Sequence, residues 1–490
     1  MNIWGISANS HDAAVSVWHD KELHFAAHSE RYSGIKNDGH LCTGILEDAY
    51  QYGTPDLIVW YENPVLKTDR QRKAGQGNTA TENDIRSYLN KYGLIQPIHF
   101  GEHHHSHASA GYYTSGFSNA AVVVIDSIGE FETLTIWHGE GNNLKKVYCQ
   151  GYPDSIGLWF SAMTQRCGLK PNEEEYILMG MAAYGDANRL KAQIYQDFFK
   201  TINGPAIRFN SNLHKGCLDW RLDLTRIQDV FDIAAATQQI YTELLKGISA
   251  WALQNVPSKN IILMGGCALN CVANSEITGD WDNVWIMPNP GDAGSAVGAV
   301  AGYFGEHINW TSPYLGTNMG TEYPVERTID ILKSTQIVGV ASGRAEFGPR
   351  ALGHRSLLAD PRGNNIKDTV NSIKRRQQFR PFAPAILEEH VHEYFDMPAG
   401  ITSSPYMQFV ARCRKPDEFP AIIHKDGTSR VQTVGKDDSP GFRKLLEQWY
   451  QETGCPMLLN TSLNIKGMPM VNTVDDAAKF QVQYNIPVIT

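Results

Sequence analysis

Apolar residues over 1–30 and 120–147 fall in short runs separated by polar or charged turns, the spacing of strands rather than of helices. Met1 to Glu30 reads as a strand, a polar turn (Ala8-Asn9-Ser10-His11-Asp12), a second strand over Ala13–Trp18, a charged turn and a third strand. Ala120 to Val147 repeats the design, with strands over Ala121–Asp126 and Thr133–Trp137, a glycine-containing turn between them, and a third strand after a charged turn. Two such meanders about 115 residues apart predict an internally duplicated unit whose short acidic turns face a cleft.

The period then changes. Between Ala234 and Asn255 the residues Ile240, Tyr241, Leu244, Leu245, Ile248 and Trp251 form one helical stripe, which leads into a strand over Ile261–Met264 and the turn Gly265-Gly266. Alternating strands and helices place the chain in the α/β class. The stretch from His307 to Arg327, with Pro313, Gly316, Gly320 and Pro324, reads as a linker. A further segment follows with strand and helix signals of its own. The expected division is a first domain over 1–312, a linker over 313–327 and a second domain over 328–490.

A chain of 490 residues, 42 % hydrophobic and 19 % charged, has apolar material for more than one core. Its net charge of −9 argues against a long nucleic-acid footprint but leaves room for a local basic site. No run approaches the ~18 consecutive apolar residues of a membrane span, and Met1-Asn2-Ile3-Trp4-Gly5 reads as a first strand, not as a signal peptide. The eight cysteines are irregularly spaced and make no disulfide framework. These features predict a soluble, cytoplasmic protein.

The most distinctive local feature is Gly101-Glu102-His103-His104-His105-Ser106-His107-Ala108, followed by small residues that suit the opening of a helix. Positions four apart share a helical face, so His103 and His107 can ligate one metal. The alternative is a solvated histidine-rich turn. Asp126, at the end of a meander strand, and Asp292, in Pro290-Gly291-Asp292-Ala293-Gly294, add carboxylates. Two imidazoles with one or two carboxylates suit iron(II), manganese or zinc. Met264-Gly265-Gly266-Cys267-Ala268-Leu269-Asn270 joins a strand to a probable helix, where glycine lets a ligand approach the backbone. It is neither a Walker loop nor a dinucleotide fingerprint, and a plain turn is the competing reading.

The densest signal lies beyond the linker. Gly343-Arg344-Ala345-Glu346-Phe347-Gly348-Pro349-Arg350-Ala351-Leu352-Gly353-His354-Arg355-Ser356 precedes Lys374-Arg375-Arg376 and Phe379-Arg380-Pro381-Phe382-Ala383-Pro384. Arginines among glycines and prolines suit multidentate binding of phosphates or carboxylates, and Arg350, Arg355 and Arg380 stand among apolar residues rather than in a polar run. Asp426-Gly427-Thr428-Ser429-Arg430 and Leu459-Asn460-Thr461-Ser462-Leu463-Asn464 add another arginine and small polar groups. Between Arg344 and Arg380 there are nine Lys or Arg against three Asp or Glu, so the overall acidity conceals a compact cationic site.

These motifs resemble the O-carbamoyltransferases that act on nodulation factors and antibiotics. The likeness runs nearly end to end, through Asn9-Ser10-His11-Asp12-Ala13-Ala14, Glu30-Arg31-Tyr32 with Lys36, the His103–His107 element, Met179-Gly180-Met181-Ala182, Gly265–Asn270, Pro290–Gly294, Gly348–Gly353, Phe379–Pro384 and Leu459–Ser462. It implies a duplicated domain of the actin-like ATPase (ASKHA) fold followed by a smaller α/β, YrdC-like domain akin to threonylcarbamoyl-adenylate synthases. In that family the second domain makes carbamoyl-adenylate from carbamoyl phosphate and ATP, with magnesium accompanying the nucleotide, and the first passes the carbamoyl group to a substrate hydroxyl. The family metal is iron, Fe2+, held at the positions of His103, His107, Asp126 and Asp292.

The same resemblance implies roles for the other residues. Arg350, Arg355, Lys374, Arg380 and Arg430 neutralise and orient the polyanionic substrates, with hydrogen bonds from Asn460 and Ser462. Gly265, Gly266 and Asn270 line a nucleotide pocket. His11 is the candidate base for the acceptor, and Lys36 the candidate group stabilising the carbamoyl oxygen or the acceptor, against purely structural roles for both. Ile177 stands where the family usually has a lysine. The acceptor is a small-molecule hydroxyl, on a natural product or a hydroxymethylated nucleoside or nucleotide, and a homodimer is compatible with the sequence. Competing readings are an ATPase or kinase of the actin-like superfamily and a tRNA threonylcarbamoyl-type transferase.

Overall fold

The computed structural model describes residues 1–490 except Asn78 and Asn364. The chain forms two compact units, one over Met1–His24 and Tyr52–Trp310, the other over Phe25–Gln51 and Thr311–Thr490.

The first unit carries the expected duplication. Strands β1 (Asn2–Ser7), β2 (Ala14–His19), β3 (Glu22–His28), β4 (Leu57–Trp60) and β5 (Ile98–Phe100) form a sheet in the order β3-β2-β1-β4-β5. β1 runs antiparallel to β2 and parallel to β4, and β4 parallel to β5. The second copy is built from β6 (Asn119–Gly129), β7 (Glu132–Glu140) and β8 (Asn143–Gly151); after a hairpin of β9 (Phe199–Asn203) and β10 (Ala206–Phe209), β11 (Asn260–Met264) and β12 (Asn283–Trp285) complete it. Its order, β12-β11-β6-β7-β8, and its strand directions repeat those of the first copy. A meander extended by parallel strands, present twice, is the duplicated α/β arrangement the pattern predicted.

Two details differ from expectation. The helix expected from Ala234 begins at Ile227, because Arg226 and Asp229 cap each other and extend the first turns beyond the apolar stripe. β6 continues past Asp126 to Gly129, with its register to β7 shifting after Ile125.

Helix His103–Ser115 packs against helix Ser295–Phe304 at very short range. A Cβ on Gly298 would lie 1.9 Å from the Ser106 carbonyl oxygen and 2.8 Å from Ala110 Cβ. Main chain cannot yield as a side chain can, so Gly298→Ala is expected to destabilise the first unit by about 3 kcal/mol, read in denaturant unfolding.

The second unit holds a six-stranded mixed sheet. β13 (Tyr314–Asn318) pairs with β15 (Arg344–Glu346) outside it, and β18 (Phe395–Asp396), β19 (Val410–Cys413) and β20 (Thr428–Arg430) form a small third sheet. The main sheet has β14 (Ile337–Ala341), β16 (Arg355–Ala359), β17 (Ala383–Leu387), β21 (Gln432–Val434), β22 (Met457–Ser462) and β23 (Val488–Ile489) in the order β21-β17-β22-β16-β14-β23. Its core gathers Val338, Val340, Leu357, Leu358, Ile386, Leu445, Trp449 and Leu458. The boundaries differ from the sequence division. Phe25–Gln51 groups with the second unit, and the stretch read as a linker holds β13 and the start of helix Val325–Thr335. Tyr32 explains part of this grouping, because its hydroxyl donates to Asp48 (2.7 Å), which also accepts from Thr317 (2.8 Å).

Among the described residues no helix is long and apolar enough to cross a membrane. All eight cysteines are free.

Candidate metal centre and anion site

His103 and His107 stand one turn apart on the buried start of helix His103–Ser115, which puts both rings on one face. Glu102 at the N-cap makes no side-chain cap, and Glu130, from the β6–β7 turn, supplies one: its carboxylate accepts the His103 backbone N–H at 3.2 Å. β6 carries Asp126 to the same point, and the short turn of helix Asp292–Gly294 brings Asp292. One donor atom from each of the four residues lies within 4.8 Å of every other, and all four residues are buried.

Three of the separations are those of neighbouring ligands around one ion. His103 Nε2 is 3.2 Å from Asp126 Oδ2 and 3.1 Å from His107 Nε2; His107 Nε2 is 3.2 Å from Asp292 Oδ1. Ligands about 2.1 Å from a shared centre lie about 3.0–3.5 Å apart in tetrahedral or octahedral geometry. Two buried carboxylates beside two imidazoles also call for a divalent cation. With protons alone, burial opposes charge on His103, but Asp292 and Asp126 outweigh it and raise its pKa well above the imidazole range. The donor set therefore fits a metal. Two outer bonds orient it: Gly266 N–H to Asp126 Oδ1 (3.2 Å), and Ser295 Oγ with His107 Nδ1 (3.3 Å).

His11 joins this cluster. Its Nε2 lies 3.5 Å from Asp292 Oδ2 and its Nδ1 3.0 Å from Asp12 Oδ2, with the side chain 45 % exposed. Burial opposes its charging, yet Asp292 and Asp12 raise its pKa to about 10. Gly265 has φ +85°, and a Cβ there would meet the Ile125 carbonyl oxygen at 2.2 Å, so only glycine lets this turn approach β6. Asn270 is differently engaged: its Oδ1 accepts the Ala273 N–H (3.1 Å) and its amide pairs with Gln238 (2.9 Å). It thus caps helix Cys271–Ser275. Ile177 is buried and brings no charge to this region.

In the second unit, topology gathers the basic motifs. β22 runs antiparallel to both β16 and β17, and β21 parallel to β17. The end of β22 bearing Asn460 and Ser462 therefore meets the starts of β16, β17 and β21, which follow Arg350, Arg380 and Arg430 respectively. Asn460 is buried and donates to Ala351 O (3.1 Å) and Gln432 Oε1 (2.7 Å), tying the Arg350 loop to this edge. Glu346 Oε1 accepts the N–H groups of Leu352, His354 and Arg355 from the same loop.

Two cations expected to touch ligand are held by protein instead. Arg355 is fully buried, and its guanidinium donates to the carbonyls of Ser342, His354, Thr317, Gly343 and Asn472 at 2.9–3.3 Å. Its role is to knot these segments together. Lys374 is buried, its ammonium donating to Ser462 Oγ (3.2 Å) and to Asn464 O (3.0 Å) and Oδ1 (2.9 Å). Burial, with Arg376 and Arg380 nearby, drives its pKa well below the usual lysine value. Lys374 thus positions Ser462.

Lys36 belongs to the second unit, where its ammonium lies 2.7 Å from Glu30 Oε2. Burial would raise Glu30, but Lys36, Arg31 and His28 more than offset it and hold the carboxyl at about 2. A depressed carboxyl pKa contributes stability above the ordinary value, lost as pH falls toward 2. Lys36→Met is therefore expected to lower stability by about 1–2 kcal/mol at neutral pH, between exposed and buried pairs. The deficit should vanish as the melting temperature is followed down from pH 4.5 to 2.

Comparison with known proteins matches the chain to two family models, "Carbamoyltransferase N-terminus" over residues 67–301 and "Carbamoyltransferase C-terminus" over 329–490. An uncharacterised protein of Synechocystis sp. is 30 % identical, covering 97 % of this chain and 93 % of that protein. Nodulation protein NolO of Bradyrhizobium diazoefficiens is 31 % identical over 76 % of this chain and 75 % of its own length. Nodulation protein U of Sinorhizobium fredii is 29 % identical over 95 % and 94 %. Among solved structures, full-length HypF in its phosphate- and nucleotide-bound form has a TM-score of 0.36 at 10 % identity, over 62 % of this chain and 46 % of that one.

Proposed function

From the premise that this chain belongs to the carbamoyltransferase family, and is a transferase, we propose an ATP-dependent O-carbamoyltransferase with one chemical step in each unit. The observation that carries this reading is the presence in one chain of two different sites: a buried His2Asp2 donor cluster and a cationic sheet edge.

In the second unit carbamoyl phosphate and ATP, with magnesium, yield carbamoyl-adenylate. Water first cleaves carbamoyl phosphate to carbamate and phosphate; a carbamate oxygen then attacks the α-phosphorus of ATP, and pyrophosphate leaves. Arg350, Arg380 and Arg430 neutralise the phosphates, while Asn460 and Ser462, the latter placed by Lys374, orient them.

In the first unit an acceptor hydroxyl oxygen attacks the carbamoyl carbon and AMP leaves. His103, His107, Asp126 and Asp292 would hold the metal, for which Fe2+ is proposed and Mn2+ or Zn2+ also suit the donors; it would supply Lewis-acid polarisation of the carbamoyl donor's oxygens. His11, beside the cluster, takes the acceptor's proton once a bound cation offsets Asp292, the carboxylate that otherwise keeps this imidazole protonated. The Gly265-Gly266 turn gives the adenylate close access to main chain. The acceptor class is a small-molecule hydroxyl, on a natural product or a hydroxymethylated nucleoside or nucleotide.

The test is a panel of such acceptors incubated with radiolabelled carbamoyl phosphate, ATP and iron(II). Label in one acceptor with release of AMP and pyrophosphate is the expected result. If no acceptor is labelled and neither product forms, the mechanism fails.

A further inference from the structure

Three of the four donor residues of the cluster have an evident support. Asp126 is held by Gly266, His107 by Ser295, and Asp292 Oδ2 faces His11 Nε2 at 3.5 Å. His103 is different. Its ring is buried, its Nε2 faces the carboxylates, and its Nδ1 has no hydrogen-bond partner. A buried ring nitrogen left unpaired lacks what normally fixes the tautomer of a metal-ligating imidazole.

The group opposite that nitrogen is Glu62, whose Oε2 lies 4.0 Å from Nδ1. Glu62 is 3 % exposed and leaves the end of β4 just before helix Pro64–Lys73. Its other oxygen, Oε1, accepts from the Lys67 ammonium at 2.6 Å; Lys67 is itself buried and also donates to the Asn9 carbonyl at 3.1 Å. The Tyr61 ring packs against the His103 ring, centroids 5.3 Å apart. A carboxylate paid for by its own buried lysine, with one oxygen left over and turned to an imidazole, is a device for holding a ring N–H.

We propose that Glu62 is a positioning residue for the metal centre: anchored by Lys67, its Oε2 takes the Nδ1–H of His103 and fixes Nε2 as the donor. The inference rests on the metal reading given above. Contraction of 4.0 Å to a hydrogen bond accompanies metal entry. Lys67 fixes the Glu62 carboxylate through Oε1, and by bonding Asn9 it links that carboxylate to the β1–β2 turn that carries His11.

The experiment uses the full-length chain, loaded with zinc as a diamagnetic probe and titrated against a chelator. Removing Glu62 alone would strand a buried ammonium, so the informative variant is Glu62→Gln with Lys67→Met, which replaces the pair by neutral groups of similar size. It is expected to keep the wild-type melting temperature of the metal-free chain and to bind zinc about 10–100-fold more weakly. His103→Ala should bind far more weakly still. Zinc binding unchanged in the double variant but lost in His103→Ala overturns the role of Glu62 and leaves the metal centre standing. Zinc binding unchanged in both overturns the metal centre itself.

A readout in the wild-type chain needs no variant. Ring-nitrogen NMR shifts of zinc-loaded protein should show His103 metallated at Nε2 and protonated at Nδ1, and metallation at Nδ1 would refute the proposal even if the double variant failed to fold.

Discussion

His107→Ala is expected to abolish carbamoyl transfer while carbamoyl-adenylate formation continues. The imidazole is fully buried and its Nε2 lies within 3.9 Å of three other donors. Its loss leaves two carboxylates and one histidine, a set that binds a divalent ion more weakly and opens one coordination position to water. Polarisation by a held metal is worth several kcal/mol of barrier, and each 1.36 kcal/mol is tenfold in rate, so transfer should fall by about three orders of magnitude. The residues proposed for adenylation all belong to the second unit, so pyrophosphate release should be unaffected. Metal content, label transfer and pyrophosphate are measured on the same preparation. Equal loss of both steps would break the assignment of one step to each unit.

What the chain discloses before folding is governed by distance along it. The two meanders are local patterns, and their strands form where the alternation places them. His103 and His107 are readable as a pair because a helix turn is a local object, and Asp126 and Asp292 are readable as residue types at a strand and a glycine-rich turn. Their convergence on one point is tertiary, yet the chemistry of the four types anticipates it.

Glu62 and Glu130 carry no such signal. They reach His103 from the ends of β4 and β6, 41 and 27 positions away, and their burial is visible only when the sheets are assembled. The basic motifs show the converse. Arginine among apolar residues marks burial, but composition does not say whether a buried guanidinium meets a ligand or, as with Arg355, five main-chain carbonyls. The same holds for Asn270, whose polar side chain caps a helix, and for Phe25–Gln51, whose elements are local but whose packing partner is not.

Arg350→Ala is expected to give the opposite separation of steps: carbamoyl-adenylate formation falls about 10²–10³-fold, and metal content is unchanged. The loop that bears Arg350 is fixed from three sides, by Glu346 through three N–H groups, by Asn460 at Ala351, and by Gln432 at the Leu352 carbonyl (3.2 Å). This anchorage fixes the main chain from which, on the proposed reading, the Arg350 guanidinium would meet phosphate. Lys374 and Arg355 cannot compensate, since their donors already meet protein oxygens. Arg350→Lys keeps the charge but loses the planar fork, so it should recover only part of the rate. Preformed carbamoyl-adenylate supplied to Arg350→Ala bypasses the damaged step and should restore transfer to the acceptor. Failure of that bypass, with metal still bound, would place Arg350 in the transfer step and require the two sites to be reassigned.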